Sequence, residues 1–166
     1  MAYTAIDDPE LYFQTVLYTG NETSRSITLD GDEDMQPDMV WIKSRGDTKQ
    51  HNVYDSVRGA TKVIFTDGNM VEETRADRLT SFNSDGFSLG DDIYVNANSI
   101  NFAAWCWKES ATAGFDIVGY TGNGTDDTDI SHNLSAVPKV IIVKNRDATD
   151  AWQVYHGANT SAPETD

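Results

Sequence analysis

The chain has 166 residues, 39% of them hydrophobic and 10% aromatic, which is enough for a packed core and too much for wholesale disorder. Its formal net charge of −15 argues against a nucleic-acid partner, because phosphate binders need a basic face from which counterions are released, and it equally disfavours an anionic membrane surface. The single cysteine, Cys106, rules out a disulfide framework within the chain, and no run approaches the roughly 18 apolar residues that membrane insertion as a helix requires.

The opening Met1-Ala-Tyr-Thr carries no signal-peptide pattern, so export by the ordinary secretory route is not expected. Residues 1–12 read as an N-terminal arm in which Asp8 precedes Pro9, an N-cap followed by proline at the first helical position; this predicts a turn of helix before the first strand. Strand signals then take over. Phe13–Tyr18, Met39–Lys43, His51–Val57, Lys62–Phe65, Phe87–Leu89, Ile93–Val95 and Ile100–Lys108 are short runs rich in β-branched and aromatic residues. Clusters of glycine, asparagine and aspartate separate them, and Val71–Leu79 reads as a polar crossover loop with at most one helical turn. In Ile100–Lys108, Phe102, Ala104 and Cys106 fall on one face, and Ala103, Trp105 and Trp107 on the other; both rows are apolar, which predicts a central strand covered on both sides. Trp41, Phe87, Phe102, Trp105 and Cys106 are the expected core. The fold class is all-β, an antiparallel sandwich or jelly roll spanning residues 13–110.

A likeness within the chain extends this reading. Tyr-Thr-Gly-Asn occurs at Tyr18–Asn21 and again at Tyr120–Asn123, an offset of 102, and at the same offset Phe13 matches Phe115 and Val16 matches Val118. After a one-residue drift to an offset of 101, Pro37, Lys43, Arg45, Val53 and Tyr54 match Pro138, Lys144, Arg146, Val154 and Tyr155. A period near 100 is too long for a solenoid unit and suits one sandwich domain. Residues 111–166 therefore read as the N-terminal half of a second, incomplete copy, without a counterpart of Thr66–Lys108. Its strands are expected to keep an open edge and an unpacked face. In the repeated turn, Gly20 and Gly122 are the expected positions for left-handed backbone.

No catalytic constellation emerges. His51 aligns with Trp152 and His156 with Asp55, so neither imidazole is shared between the copies; His132 stands in a turn, and no metal-ligand spacing links the three. Cys106 lies between tryptophans, an apolar setting that suits core packing and not a nucleophile. Neither a Gly-x-Ser-x-Gly elbow nor a phosphate-cradling glycine loop is present. With 27 acidic residues, a paired-carboxylate glycosidase cannot be placed from sequence, and an enzyme is not expected. The one metal lead is calcium, through Asp30, Asp32 and Asp34 after the first Tyr-Thr-Gly-Asn and Asp126, Asp127 and Asp129 after the second. The twelve-residue pattern ending in a bidentate glutamate is missing, so solvated acidic turns are the plainer reading and no cofactor is expected.

Taken as a set, YTGN, PDMVWIKSR, YDSVRGATK, LTSFNSDGFSLG and NFAAWCWK, with the later YTGNGT, PKVIIVKNRD and WQVYH, resemble a repeated domain of virion proteins of tailed bacteriophages, many of them marine. The resemblance implies a concanavalin-like jelly roll in a tail fibre, appendage or capsid-surface protein, made in the bacterial host cytoplasm and carried on the extracellular particle. It further implies other virion proteins and further copies (a homo-oligomer) as partners, with a host surface glycan or receptor beyond them. It supplies no catalytic residues. The alternative is a carbohydrate-binding module or part of a glycan depolymerase, stacking Trp152 and Tyr155 on sugar rings, although Tyr54 and Tyr155 recur on apolar runs and suit a core.

Overall fold

The computed structural model describes residues 6–158. Its first element is the turn that the Asp8–Pro9 pair predicts. The Asp8 carboxylate accepts the Glu10 amide at 2.9 Å, and Pro9–Leu11 forms one 3-10 turn. The chain then forms β1 (Phe13–Thr19), β2 (Arg25–Ile27), β3 (Met39–Ser44), β4 (Asn52–Asp55), β5 (Lys62–Phe65), β6 (Glu73–Thr74), β7 (Leu79–Asn83) and β8 (Gly86–Leu89). A four-residue helix α1 (Ile93–Asn96), β9 (Asn101–Trp107), β10 (Val140–Val143) and β11 (Gln153–His156) complete it.

The strands pair antiparallel in three sheets: six strands in the order β1-β9-β3-β4-β5-β6, three in the order β2-β8-β7, and the hairpin β10-β11. Strand periodicity decides what each face buries. In β1, Gln14, Val16 and Tyr18 point in, while Phe13, Thr15, Leu17 and Thr19 point out. β9 lies between β1 and β3, as its doubly apolar sequence predicts, but it is fully covered on one side only: Phe102, Ala104 and Cys106 are fully buried, whereas Trp105 and Trp107 on the other face are half-buried because no second sheet packs there. One core cluster draws Val16, Val40, Tyr54 and Phe102 from the six-stranded sheet and Ile27, Leu79, Phe87 and Leu89 from the three-stranded sheet. Two antiparallel sheets packed over one core make an all-β sandwich.

Buried polar groups fix how loops close over it. Gln14 donates to the carbonyls of Glu10 and Glu33 and accepts the Gly31 amide, tying the N-terminal turn to the 30–34 loop. Asn96 is wholly buried; its side-chain amide donates to the carbonyls of Thr23 and Gly90, each at 2.8 Å, and its oxygen accepts the Asn21 amide. Arg78 is also buried. It donates to Asn52 at 2.9 Å, lies 3.4 Å from the Asp92 carboxylate, and stands 4.3 Å above the Tyr94 ring.

The structure corrects several sequence expectations. Ile93–Val95 is not a strand: Asp92 accepts the Tyr94 amide at 2.6 Å and caps α1, so a local capping bond outcompetes a ladder that three residues cannot secure. Val71–Leu79 contains no helix, but it does hold the two-residue β6. β2 and β7 escape the hydrophobic pattern because Arg25, Ser26, Thr80 and Ser81 leave too few apolar positions, and a bulge between Leu79 and Ser81 shifts the period. Trp41 and Trp105 are half-buried, not core, because they face away from the three-stranded sheet. Neither Gly20 nor Gly122 has positive φ; that conformation falls at Glu22 and at Gly124. Gly20 is constrained by space instead, since a Cβ there would come within 2.2 Å of the Ala97 carbonyl oxygen.

Candidate functional site

Two surfaces stand out from the solvated remainder: the β10–β11 hairpin and the outer face of the six-stranded sheet. The hairpin reproduces β3–β4 residue for residue. β3 pairs Met39, Val40, Trp41 and Ile42 with Asp55, Tyr54, Val53 and Asn52; β10 pairs Val140, Ile141, Ile142 and Val143 with His156, Tyr155, Val154 and Gln153, each partner displaced by 101. The bonds that frame the two hairpins coincide too. Lys43 donates to the carbonyls of Ser44 and Asp47, and Lys144 to those of Asn145 and Ala148. The Ser56 amide donates to the Asp38 carbonyl as the Gly157 amide donates to that of Lys139. In the preceding turn, the Asn21 and Asn123 side chains accept the amides of Thr23 and Thr125, and the residue between, Glu22 or Gly124, has φ near +55° or +71°.

The surroundings differ. In the first hairpin Val40, Ile42 and Tyr54 are fully buried beneath the three-stranded sheet. Of their counterparts, Ile141 is 43% exposed, and Val143 and Tyr155 are half-buried. On the opposite face Val140, Ile142 and Val154 are 50%, 60% and 64% exposed. The hairpin meets the sandwich at its tip: Trp152 Nε1 donates to the carbonyls of Phe65 and Gly68, and Asn69 donates to that of Thr149. The Glu72 amide donates to the Arg146 carbonyl, and the Glu72 carboxylate lies 3.3 Å from Arg58 and 3.7 Å from Arg146.

The second surface is aromatic. Phe13, Trp107, Trp105 and Trp41 all lie on the outer face of the six-stranded sheet. Phe13 and Trp107 rings are 5.0 Å apart, Trp41 and Trp105 are 5.9 Å apart, and Trp41 donates to His51 Nδ1 at 3.0 Å. Phe115, from the segment that follows β9, leans on Trp107 at 6.4 Å. Next to it Glu109 accepts the Ile117 amide and Asp116 accepts the Asn133 amide, each at 2.7 Å. Burial, with Asp38 and Asp116 nearby, pushes the Glu109 carboxyl up. Burial also acts to raise Asp116, but the Asn133 donors and the Glu109 hydrogen bond outweigh it and hold Asp116 below the usual range.

The candidates singled out from sequence do not converge. Asp30, Asp32, Asp34, Asp126, Asp127 and Asp129 all lie in exposed loops, and no group of three or more histidine, cysteine or acidic side chains among the described residues is placed to hold a metal ion. His51 serves Trp41, and the exposed His132 accepts the Leu134 amide. Cys106 is fully buried, and burial pushes its thiol up to about 12, far from a nucleophile's range. Trp152, a sugar-stacking candidate, has its indole N–H engaged by backbone carbonyls. The outer aromatic row could be found only by assigning Trp41 and Trp105 to the side of the sheet without a second layer.

A single family model matches residues 8–165, taking in both the sandwich and the hairpin. The chain belongs to the DUF7483 family. That family is described as a domain of unknown function, and its match treats both segments as parts of one unit. No curated protein and no solved structure matches the chain.

Proposed function

We propose that this DUF7483 chain is a non-enzymatic structural module of a tailed-bacteriophage particle, in a tail fibre, appendage or capsid-surface protein. On this reading it is a concanavalin-like jelly roll (residues 13–110) followed by the first half of a second copy (111–166). It joins other virion proteins and further copies of itself, and it helps present the particle to a host surface glycan or receptor. The observation that carries the reading is the coincidence of register between β3–β4 and β10–β11, down to the caged lysines. Tandem sandwiches of one design suit a load-carrying rod or knob, and a reading by internal repetition asks nothing of a catalytic site. Electron microscopy of purified particles labelled with antibody against residues 13–110 tests it. Label on an appendage or on the capsid surface is expected; particles without label, from cells that contain the chain, would contradict it.

A second reading, a carbohydrate-binding module or part of a depolymerase, draws on the row Phe13, Trp107, Trp105 and Trp41, partly exposed rings on one face of the six-stranded sheet. A glycan array separates the two. Saturable binding lost in Trp105→Ala would favour this reading, and a blank array would favour the first.

A further inference from the structure

The turn between β5 and β6 is held by two loops that occupy the same place in the two hairpins. From the first loop, the His51 amide donates to the Asp67 carboxylate at 3.2 Å. From the second, Trp152 Nε1 donates to the carbonyls of Phe65 and Gly68 at 3.1 and 3.0 Å. The Asn69 side chain donates to the Thr149 carbonyl at 2.8 Å, and the Glu72 amide donates to the Arg146 carbonyl at 2.9 Å. The Glu72 carboxylate, bonded to Arg58, also faces the Arg146 guanidinium. No residue of the second hairpin belongs to the buried core cluster; its loop is held by hydrogen bonds and an ion pair.

A change of two residues between the hairpins accounts for the difference. In the first, Trp41 donates its indole N–H to His51 Nδ1 at 3.0 Å, with the rings 5.7 Å apart. At the offset of 101 these positions hold Ile142 and Trp152. The register is the same in both, with Trp41 opposite Val53 and Ile142 opposite Val154. A neutral imidazole offers one donor and one acceptor, an indole a donor alone. His51 supplies the acceptor that Trp41 needs, so that bond closes within the hairpin. Ile142 has no donor to offer, and Trp152 turns its own N–H onto two carbonyls of the sandwich. The other bonds to the sandwich use the carbonyls of Arg146 and Thr149, which any sequence would supply. The indole is therefore the part of the loop that the seat selects.

We propose that residues 65–72 form a docking seat for the hairpin loop of a neighbouring module of this same design, and that the pair at positions 142 and 152 decides which loops dock. Isoleucine with tryptophan makes a docking loop; tryptophan with histidine makes a self-contained one. The partner is a second copy of the module. Within one chain it is the copy that follows, as here. Where chains are crowded together, the loop of an adjacent chain meets the same carbonyls, amides and carboxylate. The tether favours the loop of the same chain by raising its effective concentration. The inference rests on the tandem-copy part of the proposed function and not on a virion location, so particle labelling and the following tests fail independently.

The first test reads the seat in the full chain by NMR. The indole N–H groups of Trp41 and Trp152 should exchange slowly with solvent. Those of Trp105 and Trp107, which have no acceptor among the described residues, should exchange fast. Trp152→Phe keeps a ring and removes the donor; it should speed exchange of the Glu72 amide at least tenfold. Ile142→Trp combined with Trp152→His rebuilds the internal bond. It should free the Glu72 amide equally and leave the Gly157 amide, which belongs to the hairpin, as it was. The second test titrates a fluorescein-labelled, head-to-tail cyclised peptide of residues 143–153 against the Trp152→Phe chain by anisotropy. Saturable binding is expected. It should be at least tenfold weaker to the unmutated chain, whose own loop holds the seat, and for a peptide with histidine in place of the tryptophan. Fast exchange of the Trp152 indole in the unmutated chain would overturn the proposal even if a variant unfolds. Unchanged Glu72 exchange in Trp152→Phe, no peptide binding, or equal binding by both chains or both peptides would overturn it as well.

Discussion

Arg78 and Cys106 show how single residues hold this sandwich together. The Arg78 guanidinium is buried between Asn52, Asp92 and the Tyr94 ring, so truncating it takes the cation from the half-buried Asp92 carboxylate and the donor from the buried Asn52 oxygen. Arg78→Ala should cost roughly 3–5 kcal/mol, the range for breaking a buried pair by removing one partner; the measurement is the shift in urea midpoint. Cys106 should resist iodoacetamide at pH 8 in the native state and react at once in denaturant. Its thiol also carries a pH dependence. The folded value of about 12 lies above the ordinary 9.0, so this stability is fully present below pH 9 and is lost as pH rises through 12. Burial raises the Tyr54 and Tyr18 hydroxyls as well, in the same direction. Base-induced unfolding followed by tryptophan fluorescence should therefore begin above about pH 9; a chain that gains stability from pH 9 to 11 would refute this account. Cys106 was legible as core from its sequence neighbours. The buried role of Arg78 was not, because its partners lie 26 and 14 residues away and no local period brings them together.

At the scale of elements, pattern works where a strand has one wet face and one dry face. β1, β3, β5 and β9 announce themselves by period two or by unbroken apolar runs, and the Asp8–Pro9 cap announces its turn. α1 is lost because its three apolar residues fit a strand or a helix equally until Asp92 supplies the cap. The β7–β8 hairpin depends on Gly86, which sits at φ +98° with a hypothetical Cβ only 2.1 Å from the Ile27 carbonyl oxygen. Gly86→Ala should destabilise by more than about 1 kcal/mol, well beyond an ordinary Gly→Ala effect, because both the backbone angle and the space refuse a side chain. The change in Tm by circular dichroism checks it, and an unchanged Tm would contradict a turn this tight. The second hairpin makes a sharper claim. Non-hydrogen-bonded antiparallel pairs bring their α-protons close, so strong cross-strand NOEs are expected between Val140 and His156 and between Ile142 and Val154. A one-residue slip would place them elsewhere and would break the correspondence with β3–β4.

At the scale of the whole molecule, the described residues form a sandwich with a buried core and a hairpin that keeps its apolar residues largely exposed. The likeness of the two hairpins was legible because glycine, proline and lysine stand at matching offsets, whereas the docking of the hairpin tip was not, since Trp152 and Arg146 reach Phe65, Gly68 and Glu72 of the sandwich through contacts that no local period signals. Full burial of a valine or isoleucine is worth about 1.5–3 kcal/mol, and Val140, Ile141 and Ile142 forgo much of it while exposed. The central claim is therefore that stability is divided: β9 is the most protected strand, and β10–β11 opens on its own. Native-state hydrogen exchange of the isolated chain reads this residue by residue. Amides in Phe102–Cys106 should exchange only through global unfolding, while those of Ile141 and Val143 exchange through local opening at protection lower by about two orders of magnitude. Equal protection of β9 and β10 would show that the hairpin is already complete and would contradict the account.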